Sequence, residues 1–100
     1  MRRGTTPTHT FQLPVDASEL KEIKIIYAQN GKEVLSKFKK DLALDGEFVS
    51  VRLTQEETLK FVTSSPCQIQ VRVLALDDDA QASDIVEEKV YQILDGGVLA

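Results

Sequence analysis

The stretch EIKIIYAQNGKEVLSKF, residues 22–38, constrains the fold more than any other part of the chain. Apolar and polar residues alternate along its first half, and a period of two indicates a strand with one buried face. The apolar members are Ile23, Ile25 and Tyr27. Asn30 and Gly31 follow, and both residue types tolerate the positive φ angles that a two-residue type I′ turn requires. Residues 22–38 are therefore predicted to form a β-hairpin.

The same alternation recurs in other short segments that are separated by turn residues. Residues 8–13, 47–53 and 67–76 each place β-branched or aromatic residues on one side and polar residues on the other. Asp45 and Gly46 form a turn before the second of these segments. Residues 83–90 are also predicted to be a strand, although the apolar spacing there would fit a helix as well.

One short helix is predicted between the strands. Thr54 is followed three residues later by Glu57, which is the signature of a capping box. Ser64, Ser65 and Pro66 end any helix after a turn or two. Leu59 is expected to cover one end of a sheet from this position.

The predicted fold class is all-β, an immunoglobulin-like antiparallel β-sandwich with one short connecting helix. Short strands with turn signals about every 8 to 12 residues are typical of this architecture. A chain of 100 residues supplies one core, so residues 1–100 form a single domain. Residues 1–7 are expected to be a polar N-terminal arm, and residues 91–100 a loose C-terminal tail. The paired cysteines and the tryptophan of antibody domains are absent.

Charge and hydropathy exclude several functions. The formal net charge of −4 opposes binding to nucleic-acid phosphates, so no nucleic-acid partner is expected. The apolar runs are too short to span a bilayer, and no apolar segment of signal-peptide length follows Met1, so no membrane contact and no export signal are expected. A single cysteine, Cys67, cannot form an internal disulfide, which favours a reducing compartment.

No constellation of catalytic or metal-ligating residues is visible. His9 is the only histidine, and it shares a strand face with Phe11 and Leu13 at the edge of the core. The acidic run 77–79 lacks the glycine and glutamate spacing of a helix-loop calcium site, so it is interpreted as a solvated turn. Cys67 faces inward as a small apolar residue. We therefore expect no enzyme activity, no cofactor and no metal.

Four segments in this order resemble a known domain. They are RGTTPTHTFQLP, KEIKIIYAQNGKEVLSK, VSVRLTQEETLKF and IQVRVLALDDDAQASDIV. Together they resemble the small domain that opens the upper baseplate proteins of siphophages and prophages of Gram-positive bacteria, over about Arg3 to Val90. The resemblance implies a non-enzymatic structural module that attaches a protein to the phage tail tip. It also implies localisation in the bacterial cytoplasm during assembly and then in the virion tail.

The partners expected from this resemblance are other tail or baseplate proteins, with a homo-oligomer as a further possibility. The opening segment is the candidate partner contact because an edge segment can add to a neighbouring sheet. The residues predicted for this contact are Arg2, Arg3, Thr5, Thr6, Pro7 and Thr8. The alternative hypothesis is a carbohydrate-binding β-sandwich that contacts the host cell surface. It has less support because the chain has no Trp, and its only polar-tipped aromatic residues are Tyr27 and Tyr91.

Overall fold

The computed structural model describes residues 1–100 and contains eight strands in two antiparallel sheets. The first sheet has the order β1-β5-β4, formed by Thr8–Gln12, Phe48–Arg52 and Ala43–Asp45. The second has the order β3-β2-β6-β7, formed by Lys32–Phe38, Leu20–Gln29, Cys67–Ala75 and Ala80–Ala82. β8, Val86–Glu88, pairs with β6 on the same side as β7. The helix α1 is Gln55–Thr58, and short 3₁₀ turns occur at Ala17–Glu19 and Lys39–Asp41.

The strand order confirms the predicted fold class, an immunoglobulin-like antiparallel β-sandwich with one short connecting helix. Immunoglobulin domains place strands A, B, E and D in one sheet and C, F and G, with C′ in some, in the other. With β1 taken as strand B, β1-β5-β4 follows the order B-E-D, and β3-β2-β6-β7 follows the order C′-C-F-G. The short helix lies between the strands that correspond to E and F.

The hairpin predicted from residues 22–38 is confirmed. β2 and β3 are joined by Asn30 and Gly31, whose φ angles are 53° and 74°. These positive angles are those of a type I′ turn, whose twist matches that of the flanking strands. The alternating apolar residues of β2 are completely buried between the sheets; they are Ile23, Ile25 and Tyr27. Strands predicted at residues 8–13, 47–53 and 67–76 are confirmed as β1, β5 and β6.

The core lies between the two sheets and is continuous. It contains side chains from β2, β5 and β6 and from the loops that close the sandwich, including Leu13, Ala17, Leu53 and Phe61. The Tyr27 and Phe61 rings meet edge to face, with their centroids 6.3 Å apart. Aromatic pairs favour this arrangement because the positive edge of one ring faces the negative face of the other.

The predicted capping box is confirmed at α1. The Thr54 hydroxyl accepts from the Glu57 amide at 3.1 Å, and the Glu57 carboxylate accepts from the Thr54 amide at 2.9 Å. The residue that closes the core after this helix is Phe61, which is completely buried, whereas Leu59 is only half-buried. The expectation for Leu59 was therefore wrong by two positions, because the helix ends at Thr58 and the following turn directs Phe61 inward.

The side chain of Gln29 holds the loop after α1 in place. Its amide nitrogen donates to the carbonyl oxygens of Val62 and Ser65, at 2.7 and 2.8 Å. Its amide oxygen accepts from the Val62 N–H at 2.9 Å. Gln29 is buried, so these three bonds supply the partners that its amide group needs away from water.

Residues 1–7 do not project as the polar arm that the sequence suggested. Met1 is buried in the core, and Arg2 forms a parallel bridge with Tyr91. The Tyr91 N–H donates to the Met1 carbonyl at 2.8 Å, and the Arg3 N–H donates to the Tyr91 carbonyl at 3.1 Å. The segment packs because an apolar side chain and main-chain hydrogen bonds both attach it to residues near the other end of the chain.

Gly4 allows the chain to turn from this bridge toward β1. Its φ angle is +73°, which is costly for residues with a side chain. A Cβ atom at this position would also lie 2.8 Å from the Ile93 Cδ1 atom. The glycine of the RGTTPT opening is thus favoured by the backbone conformation, and a side chain there would also displace the end of the Ile93 side chain.

Residues 83–90 contain a strand rather than a helix, but the strand is shorter than predicted. Of residues 83–90, only Val86–Glu88 pair with β6. β7 and β8 pair with β6 as two separate segments, and Ser83 lies between them, where its hydroxyl accepts the Val71 N–H at 3.0 Å in place of a strand carbonyl. Residues 91–100 contain no strand or helix, although Gln55 binds both the N–H and the carbonyl of Leu99. None of the helical segments has the length and apolar character needed to cross a membrane.

Candidate functional site

Of the two edges of the first sheet, β1 and β4, the edge at β1 is the feature of this molecule best suited to binding. β1 pairs only with β5, and no strand lies on its other side. No Asp, Glu, Lys or Arg occurs between Arg3 and Asp16, so the whole edge is uncharged. Pro14 follows the strand and lacks the N–H group that would continue the outward ladder of hydrogen bonds beyond Gln12. Pro7 precedes the strand, and its carbonyl is directed toward β5. The open edge is therefore a neutral stretch of five residues with a defined C-terminal end.

The register with β5 shows which backbone groups are free. The Leu53 N–H donates to the Pro7 carbonyl at 3.0 Å, and the Leu13 N–H donates to the Glu47 carbonyl at 2.7 Å. In an antiparallel pair, hydrogen-bonded positions alternate, so His9 and Phe11 also direct their backbone groups toward β5. The backbone groups directed away from β5 belong to Thr8, Thr10 and Gln12. Each presents one donor and one acceptor along the open edge.

A groove of about 390 Å³ runs beside this edge, between β1 of the first sheet and β7 of the second. Its lining contains no charged residue. The apolar part of the lining consists of Phe11, Leu13, Pro14, Val71, Val73 and Ala82. Thr10, Gln12, Gln81 and Ser83 complete the lining. A strand added to β1 would thus lie next to an apolar groove as well as next to free backbone groups.

A hydrogen bond behind β1 connects the two sheets. His9 points inward from β1, and its Nδ1 atom lies 2.7 Å from the Tyr27 hydroxyl of β2. The two rings are stacked, with centroids 5.6 Å apart. On the other side of the imidazole, Nε2 lies 3.6 Å from Glu88, and the same carboxylate is 2.7 Å from the Met1 amino group. This cluster fixes the inward face of the edge strand.

The electrostatics of the cluster favour neutral rings. Burial lowers the pKa of His9, the Glu88 carboxylate raises it in part, and the Met1 amino group lowers it further. Burial raises the pKa of Tyr27, so its hydroxyl stays protonated at neutral pH. The Nε2 atom faces the Glu88 carboxylate, which favours the tautomer with the proton on Nε2, and in that tautomer Nδ1 accepts a hydrogen bond from the Tyr27 hydroxyl. The pair acts as a structural link between the sheets.

The thiol of Cys67 does not have the properties of a nucleophile. Burial raises the pKa of Cys67 to about 11, with a further contribution from the Glu88 carboxylate. The side chain is fully buried on β6. At neutral pH the sulfur is protonated and lies out of reach of a substrate.

The six residues predicted as a partner contact do not lie together. Arg2 and Arg3 contact the C-terminal segment and the turn after α1, whereas Thr6 and Thr8 lie beside β5. Arg2 lies over the Tyr91 ring at 5.4 Å and donates to the Gln92 carbonyl. Arg3 donates to the Leu59 carbonyl at 3.0 Å. Thr5 donates to the Arg2 carbonyl, and the carbonyl of Pro7 is paired with β5.

Thr6 accepts from Arg52 at 3.1 Å, and Thr8 alone among the six belongs to the open edge. Arg2, Thr5, Thr6 and Thr8 have exposed side chains, so they remain accessible. Sequence reasoning missed Thr10 and Gln12, the other two residues of the edge. The signal that identifies them is the absence of charge between two prolines in a segment that otherwise has strand periodicity.

The two tyrosines do not form a sugar platform together. Tyr27 is completely buried and binds His9. Tyr91 is exposed, but Arg2 and Lys89 both lie over its ring at 5.4 Å. Carbohydrate binding by stacking on these residues therefore has no support from their placement.

Comparisons with known proteins give no family for this chain. No family model matches it, and no curated protein matches it. One solved structure found to be similar is the V domain of amphioxus IgVJ-C2, at 10% sequence identity and a TM-score of 0.39. The match covers 90% of this chain and 96% of that one. A similarity this low carries no argument about what this chain does.

Proposed function

We propose that this chain is a non-enzymatic assembly module that binds other proteins by adding a strand to the open edge of β1. The observation that carries the proposal is the set of free backbone groups at Thr8, Thr10 and Gln12 beside an uncharged apolar groove. Main-chain pairing supplies affinity in this mode of recognition, and pockets for alternate side chains supply specificity.

The composition of the edge supports this role. Soluble proteins protect exposed edge strands with charges, bulges or covering loops, because unpaired edges join other chains. The five residues of β1 have none of these charges, and Pro14, which has no N–H to offer beyond Gln12, limits any pairing at one end without preventing it. A short, uncharged open edge of this kind is suited to a specific partner.

The biological setting that we propose is the tail or baseplate of a phage or prophage, with other tail proteins as partners. This part of the proposal rests on the resemblance of the four sequence segments to the opening domain of upper baseplate proteins. The structure contributes a surface that would serve such an assembly role.

Selection of random peptides of strand length against the whole chain tests the mode of binding. We expect selected peptides to alternate apolar residues and to shift the amide NMR signals of Thr8, Thr10 and Gln12. Thr10→Pro removes the central outward donor and should abolish binding. Ser50→Ala is the matched control, because Ser50 neighbours Thr10 but its strand is paired on both sides. Peptides that shift only signals away from β1 would overturn the proposed mode.

Sequencing of the neighbouring genes, followed by co-expression with any tail or baseplate proteins that they encode, tests the setting. We expect one of them to co-elute with this chain in size-exclusion chromatography and to be lost from the complex in the Thr10→Pro variant. Failure of every such protein to co-elute would contradict the proposed setting and would leave the peptide experiment as an independent test of the binding mode.

A further inference from the structure

We infer that the open β1 edge pairs with the β1 edge of a second copy of this chain, in an antiparallel arrangement around a two-fold axis at Thr10. The inference rests on the proposed function, since it names a partner for the same edge. Such pairing would join the two three-stranded sheets into one continuous sheet across the dimer. The residues that carry it are the three outward positions of β1 and the charged residues at the two ends of β5, namely Arg52 of the strand and Glu47 of the turn before it.

The two-fold axis makes the edge complementary to itself. Thr10 would face Thr10 of the second copy, and Thr8 would face Gln12 of the second copy at both ends. These outward residues form three hydrogen-bonded pairs, each with two main-chain bonds. Pro14 cannot supply the donor for a further pair beyond Gln12, so the contact ends there. The register is therefore fixed by the chemistry of the strand.

Charges at the two ends of the edge are complementary in this arrangement. Arg52 lies opposite Thr8 on β5, and the Glu47 carboxylate accepts a 2.7 Å hydrogen bond from Gln12 at the other end. The two-fold axis places Arg52 of one copy and Glu47 of the other at the same end of the paired strands. By symmetry, the opposite end has the same combination of charges. Pairing in the parallel sense would instead place Arg52 beside Arg52. The antiparallel dimer is thus the electrostatically favoured one.

The remaining surface charge makes this edge the favoured place for self-contact. Each copy carries a net charge of −4, so two copies repel each other over most approaches. Between Arg3 and Asp16 the chain has no charged residue, so two copies can approach along β1 with less electrostatic repulsion. A contact of one short strand buries little surface, so the dimer should be weak and concentration-dependent.

Charge reversal with rescue tests the arrangement by sedimentation equilibrium at low salt. We expect the native chain to dimerise as its concentration rises. Arg52→Glu should weaken dimerisation by about fivefold at low salt, because it turns two attractions across about three strand spacings into two repulsions. The double variant Arg52→Glu with Glu47→Arg should restore it. A thermal unfolding curve for each variant confirms that the fold is retained.

Disulfide trapping tests the position of the axis. Thr10→Cys should give a cross-linked dimer under mild oxidation, because facing residues of neighbouring strands lie within disulfide range. Ser50→Cys is the control, since its hydroxyl lies 2.9 Å from that of Thr10 on the same face. In the dimer, position 50 of the second copy would lie three strand spacings away, about 14 Å, which is too far for a disulfide bond. Equal cross-linking of both variants would overturn the inferred axis.

The outcomes separate this inference from the proposed function. A chain that stays monomeric at all concentrations, while selected peptides still bind at β1, overturns self-pairing and leaves strand addition standing. A dimer that is unaffected by Arg52→Glu and not trapped through Thr10→Cys also overturns it, because the contact must lie elsewhere. A monomer that binds no peptide at β1 contradicts both.

Discussion

The two sheets end in edge strands of opposite character. β3, at the edge of the second sheet, carries Lys32, Glu33 and Lys37, and its pairing with β2 is irregular between Tyr27 and Ala28. Two of these residues form ion pairs, Glu33 with Lys24 and Lys37 with Glu57. β1, at the edge of the first sheet, has neither charges nor a bulge. β3 has the protection that soluble sheets usually show, and β1 does not.

The two edges are also attached differently. β3 is one arm of a tight hairpin and is held to β2 by main-chain hydrogen bonds. β1 is likewise held to β5 by main-chain hydrogen bonds, but β5 is distant in the chain, and β1 reaches the second sheet only through side chains, including the contacts of His9 with Tyr27 and Glu88. Charged residues thus protect the edge that belongs to a hairpin, and the edge paired with a distant strand is left available for a partner.

Removal of the Tyr27 ring is the largest disruption of this arrangement. Tyr27→Ala should lower the free energy of unfolding by about 3–5 kcal/mol, because the ring is completely buried behind β1. Tyr27→Phe keeps the ring and loses only the bond to His9, so it should cost about 0.5–1.5 kcal/mol. Urea titration measures both values. Equal losses for the two variants would show that the hydrogen bond, and not packing, holds β1.

The glycines that precede each edge strand give the next largest effect. Gly4 and Gly31 have nearly the same φ angle, +73° and +74°, but only Gly4 has a close neighbour. Gly31→Ala should cost about 1 kcal/mol for the backbone conformation alone. Gly4→Ala should cost about 2–3 kcal/mol, because Ile93 must also move. Thermal unfolding of the two variants compares them, and equal costs would mean that the segment before β1 is not tightly packed.

Acid should weaken the attachment of β1 and leave that of β3 unchanged. The pKa of His9 is lower in the folded chain than the ordinary value of 6.5, because burial disfavours the charged ring. The contribution of neutral His9 to the free energy of unfolding is therefore fully present above about pH 6.5 and is lost as the pH falls through the lower pKa of the folded chain. We expect the melting temperature to fall in this range in the native chain and to stay flatter in His9→Gln. A native chain with no such slope would contradict the assignment of a neutral His9.

Surface charges on the two edges give the smallest effect. Glu33→Gln breaks the half-exposed pair with Lys24 and should cost at most about 1 kcal/mol, less at high salt. Thr10→Lys adds a charge to β1. Because Thr10 is exposed, the free energy of unfolding should change by less than about 0.5 kcal/mol. Chemical denaturation at two salt concentrations checks both. A large cost for Thr10→Lys would show that the β1 edge is already covered in the isolated chain.

The local parts of this fold were predictable because their causes lie within a few residues. The alternation around Ile25, the turn residues at Asn30 and Gly31, and the pairing of Thr54 with Glu57 each act over short separations. These features identified the strands, the hairpin and the short helix. They also placed His9 at the inner rim of β1, where the structure shows it half-buried.

The parts that were not predictable depend on contacts between distant residues. Met1 is buried because Tyr91, ninety positions away, binds its carbonyl, and nothing near Met1 in the sequence indicates this. Phe61 and Leu59 are both apolar, and only the exact end of the helix decides which one enters the core. The edge position of β1 follows from the order of strands, which alternation within one strand does not contain.

The Gln29 side chain has a consequence for the exchange of amide protons with solvent. Val62 lies in a loop, where an amide would ordinarily exchange within the time of a loop opening. Its N–H is bonded to a buried amide that is itself fixed on β2 and bonded to two carbonyl oxygens. The Val62 proton can therefore exchange only when the Gln29 side chain separates from the loop, so its exchange rate reports on the contact between the end of β2 and the loop after α1.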